Sequence, residues 1–260
     1  MHNIKKMNKK IKSLFEISLV LFLLFIIEST FPFVFLILNF SKDWSLTELK
    51  QTSIIFFLVY VFLIMKLWKI NISCQLIKPS IKNLLFIMLI SLLYFILIFP
   101  ISYPYEFMKN IFCGCTSIAK FNIPDYNNYY YQFYFIKSII IAPIAEEIFF
   151  RGIIQTRLRR NFSPITSIIF SSLFFAISHF SFSKLIRTFL CGLLFGSVFN
   201  KYGSLTLSVL SHSSINLLVF FTIRETQPFS NIISVYLIFY LLVSIGFCFI
   251  VKNLFPVKKS

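Results

Sequence analysis

Six polar side chains carry the chemistry that this sequence offers: Glu146, Glu147, Arg151, His179, His212 and Asn216. They stand in otherwise apolar text. The first three occur in Ala142-Pro143-Ile144-Ala145-Glu146-Glu147-Ile148-Phe149-Phe150-Arg151-Gly152. Glu147 and Arg151 are four apart with the acid first, the favourable order for an ion pair on a helix face. Glu146 is turned by about 100° from Glu147 and is expected to point elsewhere. One carboxylate then holds the arginine while the other is spare, and a spare carboxylate in a dry bundle is a candidate general base. The structural alternative is an ion pair with an idle acid beside it. Pro143 removes one backbone hydrogen bond and is expected to kink the helix and admit water.

The chain has three histidines, one of them (His2) in the N-terminal tail. Phe175-x-x-x-His179 and His212-x-x-x-Asn216 each put two residues on one helix face. A lone histidine in an apolar helix is commonly a satisfied core residue. Two histidines, an asparagine and a di-acid on three separate helices outweigh that reading. Ser211, Ser213 and Ser214 flank His212, but no G-x-S-x-G elbow supports a serine nucleophile.

The elements that hold these residues follow from composition. Of 260 residues, 58% are hydrophobic and 13% charged, and 36 are Phe. A soluble domain carries about a quarter charged residues, so a cytosolic globule is excluded and an integral membrane protein is expected. The fold class is all-α, a polytopic transmembrane bundle of eight helices at about 14–38, 52–68, 83–100, 133–156, 164–182, 185–200, 204–223 and 231–251. The lysines ahead of the first stretch resemble a signal peptide, but no small-residue cleavage site follows, so a retained first helix is expected. With the N-terminus inside, 16 of the 25 Lys and Arg fall on inner segments and 7 on outer loops. That bias predicts both termini in the cytoplasm and a multi-pass protein of the cell membrane. It also explains the net charge of +16 without nucleic acid.

The division expected is 1–132 for three helices and a long outer loop, 133–223 for a core of four helices, and 224–260 for a last helix and basic tail. The segment 101–132 reads as the one long connection, with Tyr129, Tyr130 and Tyr131 as an interfacial belt. Lys137 can snorkel from a helix end, and Glu16 and Glu28 read as interfacial. Gly192-x-x-x-Gly196 offers a close helix contact. The five cysteines are dispersed, and Cys113-x-Cys115 is a weak metal signal without a second pair.

Glu146-Glu147-x-x-x-Arg151, Phe175-x-x-x-His179 and His212-x-x-x-Asn216, in this order, resemble the three signature motifs of the CPBP family of intramembrane proteases. That family includes the type II CAAX prenyl endopeptidases and relatives tied to bacteriocin processing or immunity. The resemblance covers about 133–223. It implies hydrolysis of a peptide bond by an activated water. On that analogy Glu146 and His179 position and deprotonate the water, His212 and Asn216 stabilise the oxyanion, and Glu147 with Arg151 shapes the site. A metal stays open. Glu146, His179 and His212 resemble a His₂Glu zinc site, while the same residues also serve a metal-free glutamate mechanism, and their spacing does not choose.

The expected partners are a membrane-anchored or hydrophobic peptide and the lipid bilayer, with no nucleotide or redox cofactor. Two alternatives stand beside the protease. One is a non-catalytic immunity or partner-binding protein of the same ancestry; the other is a proton-coupled transporter using the Glu/His cluster as a relay. Amino-acid usage rich in Phe, Ile, Lys and Asn points to an AT-rich bacterial genome, where bacteriocin leaders, pheromone precursors or other membrane peptides are expected rather than prenylated substrates. One geometric condition follows from helix length. With a start near Pro164, His179 lies about 22 Å from the inner helix end and Glu146 about 15 Å. Their depths match only with a later start or a tilt.

Overall fold

The computed structural model describes residues 2–37, 46–72, 75–76, 78–113, 129–179 and 182–225. These residues are helical with short connections, and among them there is no strand. The expected last helix 231–251, the basic tail and most of the outer loop lie outside them. Three long helices come first: α1 (His2–Ile37), α2 (Leu46–Leu67) and α3 (Ile81–Cys113). A composite rod follows. It consists of α4 (Tyr129–Ile136), a π-helical stretch Lys137–Ile141, α5 (Ala142–Glu147), a second π-helical stretch Ile148–Gln155 and α6 (Thr156–Arg159). Then come α7 (Pro164–Ile177), α8 (Phe182–Tyr202) and α9 (Leu205–Glu225).

Local chemistry sets several of these ends. Ser163 caps α7 by accepting the Thr166 backbone N–H at 3.2 Å, and Pro164 occupies the first helical position, where its missing N–H costs nothing. Gly203 ends α8 at φ +63°, a left-handed conformation that glycine adopts without a Cβ penalty. Its N–H closes on the Phe199 carbonyl at 2.9 Å. Ser204 then caps α9 through the Leu207 N–H. The turn between α8 and α9 is therefore two residues long, and it lays the two helices antiparallel and side by side.

The core is apolar and continuous from Ile17 on α1 through Phe57 and Ile64 on α2 and Ile87 and Ile90 on α3 to Phe149, Ile153 and Phe195. The closest seam is between α7 and α8. A Cβ placed on Gly192 would lie 2.9 Å from the Ser172 Cβ, and one on Gly196 would lie 3.0 Å from Gln155 Oε1. The Gln155 side chain donates to the Gly196 carbonyl at 3.0 Å. The small residues expected at a helix contact thus let the rod, α7 and α8 meet around one point.

Several expectations on helix extent need correcting. Among the described residues no helix is long and apolar enough to cross a membrane. The expected fourth span is divided by its two π-helical stretches. The fifth stops at Ile177, a helix of 14 residues or about 21 Å against a hydrocarbon core of about 30 Å. The sixth begins at Phe182 and carries Lys184 and Arg187 in its first turns. The segment read as a loop from 101 is helical as far as Cys113, because Glu106–Cys113 contains neither Gly nor Pro. Tyr129, Tyr130 and Tyr131 open α4.

Candidate active site

Three elements bring the polar residues together: the rod, α7 and α9. In the rod, Glu147 and Arg151 are both fully buried, with Arg151 Nε 3.1 Å from Glu147 Oε2. The guanidinium also donates through Nη1 to Ser171 Oγ on α7 at 3.3 Å, and Ser171 donates to the Phe150 carbonyl at 2.8 Å. Its planar face lies 5.1 Å from the Phe175 ring centroid and 5.8 Å from that of Phe195. A buried charge survives only with such partners, because removing either member of the pair strands the other.

α9 supplies the next contacts. Ser208 Oγ donates to Glu147 Oε2 at 2.6 Å, and His212 Nδ1 lies 3.0 Å from Glu147 Oε1. A carboxylate can only accept, so Nδ1 carries the proton and His212 Nε2 holds the lone pair. That nitrogen lies 3.9 Å from Glu146 Oε2. The distance is too long for a hydrogen bond and within the reach of one bridging water. Glu146 Oε2 is itself buried and has no hydrogen-bond partner among the described residues. Glu146 does not point away from Glu147's neighbourhood as its rotation suggested. The imidazole of His212 fits the groove between the two acids, and each of its nitrogens meets one of them. Phe195 stacks on His212 with centroids 4.5 Å apart and 17° between planes, which fixes the ring's orientation.

His179 sits two residues past the end of α7 and is exposed. Its Nδ1 donates to the Phe175 carbonyl at 2.8 Å, so its Nε2 also holds the lone pair. His179 and His212 both pack against Phe175, edge to face, with centroids at 4.8 and 5.7 Å. Phe175 is thus the spacer that joins the two histidines. α7 does begin at Pro164, so a late start does not bring His179 and Glu146 level.

Asn216 lies one turn beyond His212. Its side-chain amide donates to the Ser138 carbonyl at 2.9 Å. The reason lies in the π-helical register. There the Ala142 N–H bonds the Lys137 carbonyl, five residues back. The next bond in that series would run from residue 143 to Ser138, and residue 143 is a proline without an N–H. Asn216 supplies the donor that Pro143 lacks. The hydrogen bond lost at Pro143, visible in the sequence, is made good by a side chain from another helix.

Two contributors to the cluster, Ser208 and Phe195, were not singled out in the sequence, nor was Ser171. Ser208 had a signal, since Ser208, His212 and Asn216 recur every four residues along one face of α9. Phe195 and Ser171 had none beyond apolar or small-residue packing.

The donor chemistry of Glu146, His179 and His212 would suit a metal, and an Nδ1 anchored elsewhere is usual in a ligating histidine. Their positions do not match it: among the described residues no three His, Cys, Asp or Glu groups converge where an ion could be held. What the cluster offers is two imidazoles with Nε2 lone pairs, one anchored by a buried carboxylate, and a second carboxylate with an unengaged oxygen beside it.

Residues 130–218 match a family model described as type II CAAX prenyl endopeptidase Rce1-like. No curated protein and no solved structure matches the chain.

Proposed function

We propose that the chain is an intramembrane endopeptidase acting on a membrane-anchored or hydrophobic peptide, a reading supported by the match of residues 130–218 to the Rce1-like type II CAAX prenyl endopeptidase model. The observation that carries this reading is the pairing at His212. Its Nδ1 is anchored by Glu147, and its Nε2 lies 3.9 Å from an oxygen of Glu146 that makes no hydrogen bond. A water held between that oxygen and a neighbouring imidazole is activated when Glu146 takes its proton. The proton then passes to the leaving amine. His179, which packs on the same Phe175 ring as His212, is the second proton acceptor. His212 is kept in one orientation by Glu147, Ser208 and Phe195; with a proton taken from solvent on Nε2 before the attack, it donates to the developing oxyanion. Asn216 acts on the same centre through the rod, by holding the Ser138 carbonyl.

A membrane location is part of the proposal. It is supported by the family and by the faces of the helices. Phe15, Phe22, Phe62, Leu63, Leu85 and Met88 are each more than half exposed. Contiguous apolar surface on this scale is not tolerated in water and marks contact with lipid or protein.

The test uses the full chain in detergent or nanodiscs with a library of membrane peptides read by mass spectrometry. Wild type is expected to cleave a subset, and Glu146→Gln and His179→Ala are expected to cleave the same peptides at least about 10²-fold more slowly. A chelator arm separates metal from glutamate chemistry. Equal cleavage by wild type and both variants would show the assigned site to be wrong.

A further inference from the structure

Away from the Glu146–His212 cluster, a second group of polar residues meets where α1 passes the end of the rod. On α1, Lys9, Lys12, Ser13 and Glu16 recur at helical spacing and share one face. Opposite them, Arg157 and Arg160 at the end of α6 do the same. Together they line a cavity of about 280 Å³, to which Asn161 adds a side-chain amide. With about 30 Å³ per water in the liquid, that is room for a small anion with several waters.

The charges in this cavity do not cancel. Glu16 is the one acid that lines it, and it is engaged by Arg157, which also lies over the Trp68 ring at 4.2 Å. That leaves Lys9, Lys12 and Arg160 without an ion pair among the described residues. Lys10 is directed elsewhere, over the Phe162 ring. Two polar atoms of the lining residues also lack hydrogen-bond partners. Ser13 Oγ is buried, its residue only 4% exposed, and makes no hydrogen bond; Arg157 Nε is likewise buried and unsatisfied. A buried hydroxyl and a guanidinium N–H left unpaired are costly, so this end of the rod carries polar strain beside an uncompensated positive charge.

We propose that this cavity binds a phosphate group, and that its source is the headgroup of an anionic lipid. The donors are of the kind phosphate recognition uses: a planar guanidinium held in place by a carboxylate and an indole, a second guanidinium and two ammonium groups. The lipid source rests on what adjoins the cavity. Ile11, Phe15, Leu19 and Phe22 form an exposed apolar row on α1 next to the lysine face, along which acyl chains would lie while the phosphate sits among the basic residues. The inner-face position expected for Lys9, Lys12, Arg157 and Arg160 is also the one at which anionic headgroups occur.

The test reads binding and needs no cleavage. Full-length protein in detergent is titrated with phosphatidic acid, phosphatidylcholine or inorganic phosphate, and bound lipid is counted by native mass spectrometry. Phosphatidic acid is expected to bind more tightly than phosphatidylcholine and to be displaced by inorganic phosphate. A Lys12→Gln/Arg160→Gln double variant is expected to lose about fivefold in affinity per charge removed, while Lys82→Gln, outside the cavity, keeps wild-type affinity. Thermal midpoints confirm that the variants are folded. Binding of inorganic phosphate that phosphatidic acid does not compete for would overturn the lipid source and leave a free-anion site. Equal binding of the two lipids, or an unaltered double variant, would overturn the site itself.

Discussion

At the scale of single residues, the two adjacent acids have opposite roles, and this is testable. Glu147 is fully buried and answers Arg151, Ser208 and His212 at once. Truncating it leaves a buried guanidinium without its counter-charge, so Glu147→Ala is expected to cost about 3–5 kcal/mol of stability. Denaturant titration of the purified protein, followed by circular dichroism, measures this. Glu146 makes no such network, and Glu146→Gln is expected to leave the unfolding midpoint in place while peptide cleavage falls by about 10²–10⁴. A Glu146→Gln protein as unstable as Glu147→Ala would make both acids structural. The pairing of Glu147 with Arg151 was legible in the sequence, because a spacing of four on a helix fixes a shared face. The approach of Glu146 to His212 was not. It depends on the rotation of α9 about its own axis against the rod, and that rotation is set by how Phe195 and Phe175 pack, which no spacing within one helix encodes.

At the scale of elements, the rod carries a defect and its repair on different helices. Pro143 has no N–H for the Ser138 carbonyl, and Asn216 donates to it instead. Asn216→Ala is expected to cost about 1 kcal/mol, the lower end of the penalty for an unsatisfied acceptor, because the Ser138 carbonyl is only partly buried. In a Pro143→Ala background the backbone N–H returns and the same substitution is expected to cost less than half as much. A double-mutant cycle on unfolding free energies reads this coupling, and additive effects would show that the two residues are independent. A second prediction concerns the α7–α8 seam. Gly192→Val places new atoms against Ser172, where a Cβ alone would already lie 2.9 Å away. Overpacking of that kind costs about 1–3 kcal/mol, and thermal unfolding of the variant checks it. The expected end of α8 at 200 falls short of its stop at Gly203, whereas the helix start at Pro164 could be read from the sequence, since its chemistry is local. The π-helical stretches could not, because a run of apolar residues looks the same whether its backbone bonds span four residues or five.

At the scale of the whole molecule, two observations pull in different directions, and one measurement decides between them. The composition is 58% hydrophobic with Lys and Arg clustered between apolar runs, and the described helices expose Phe15, Phe22, Phe62 and Leu85. Yet no helix among the described residues is long and apolar enough to cross a membrane. Residence in the bilayer predicts that the protein stays with the membrane fraction through alkaline carbonate washing, as a peripherally bound basic protein does not. The 16 to 7 bias of basic residues adds a direction. With the five native cysteines replaced by serine, single cysteines at Arg160 and Lys201 are expected to react with a membrane-impermeant maleimide in inside-out vesicles alone, and one at Lys42 in right-side-out vesicles alone. That pattern would put the phosphate cavity on the cytoplasmic face, where anionic headgroups are available to it. Labelling of all three from one side would leave the basic residues as an electrostatic footprint on a surface-bound helical protein. The exposed apolar faces would then need a protein partner instead of lipid.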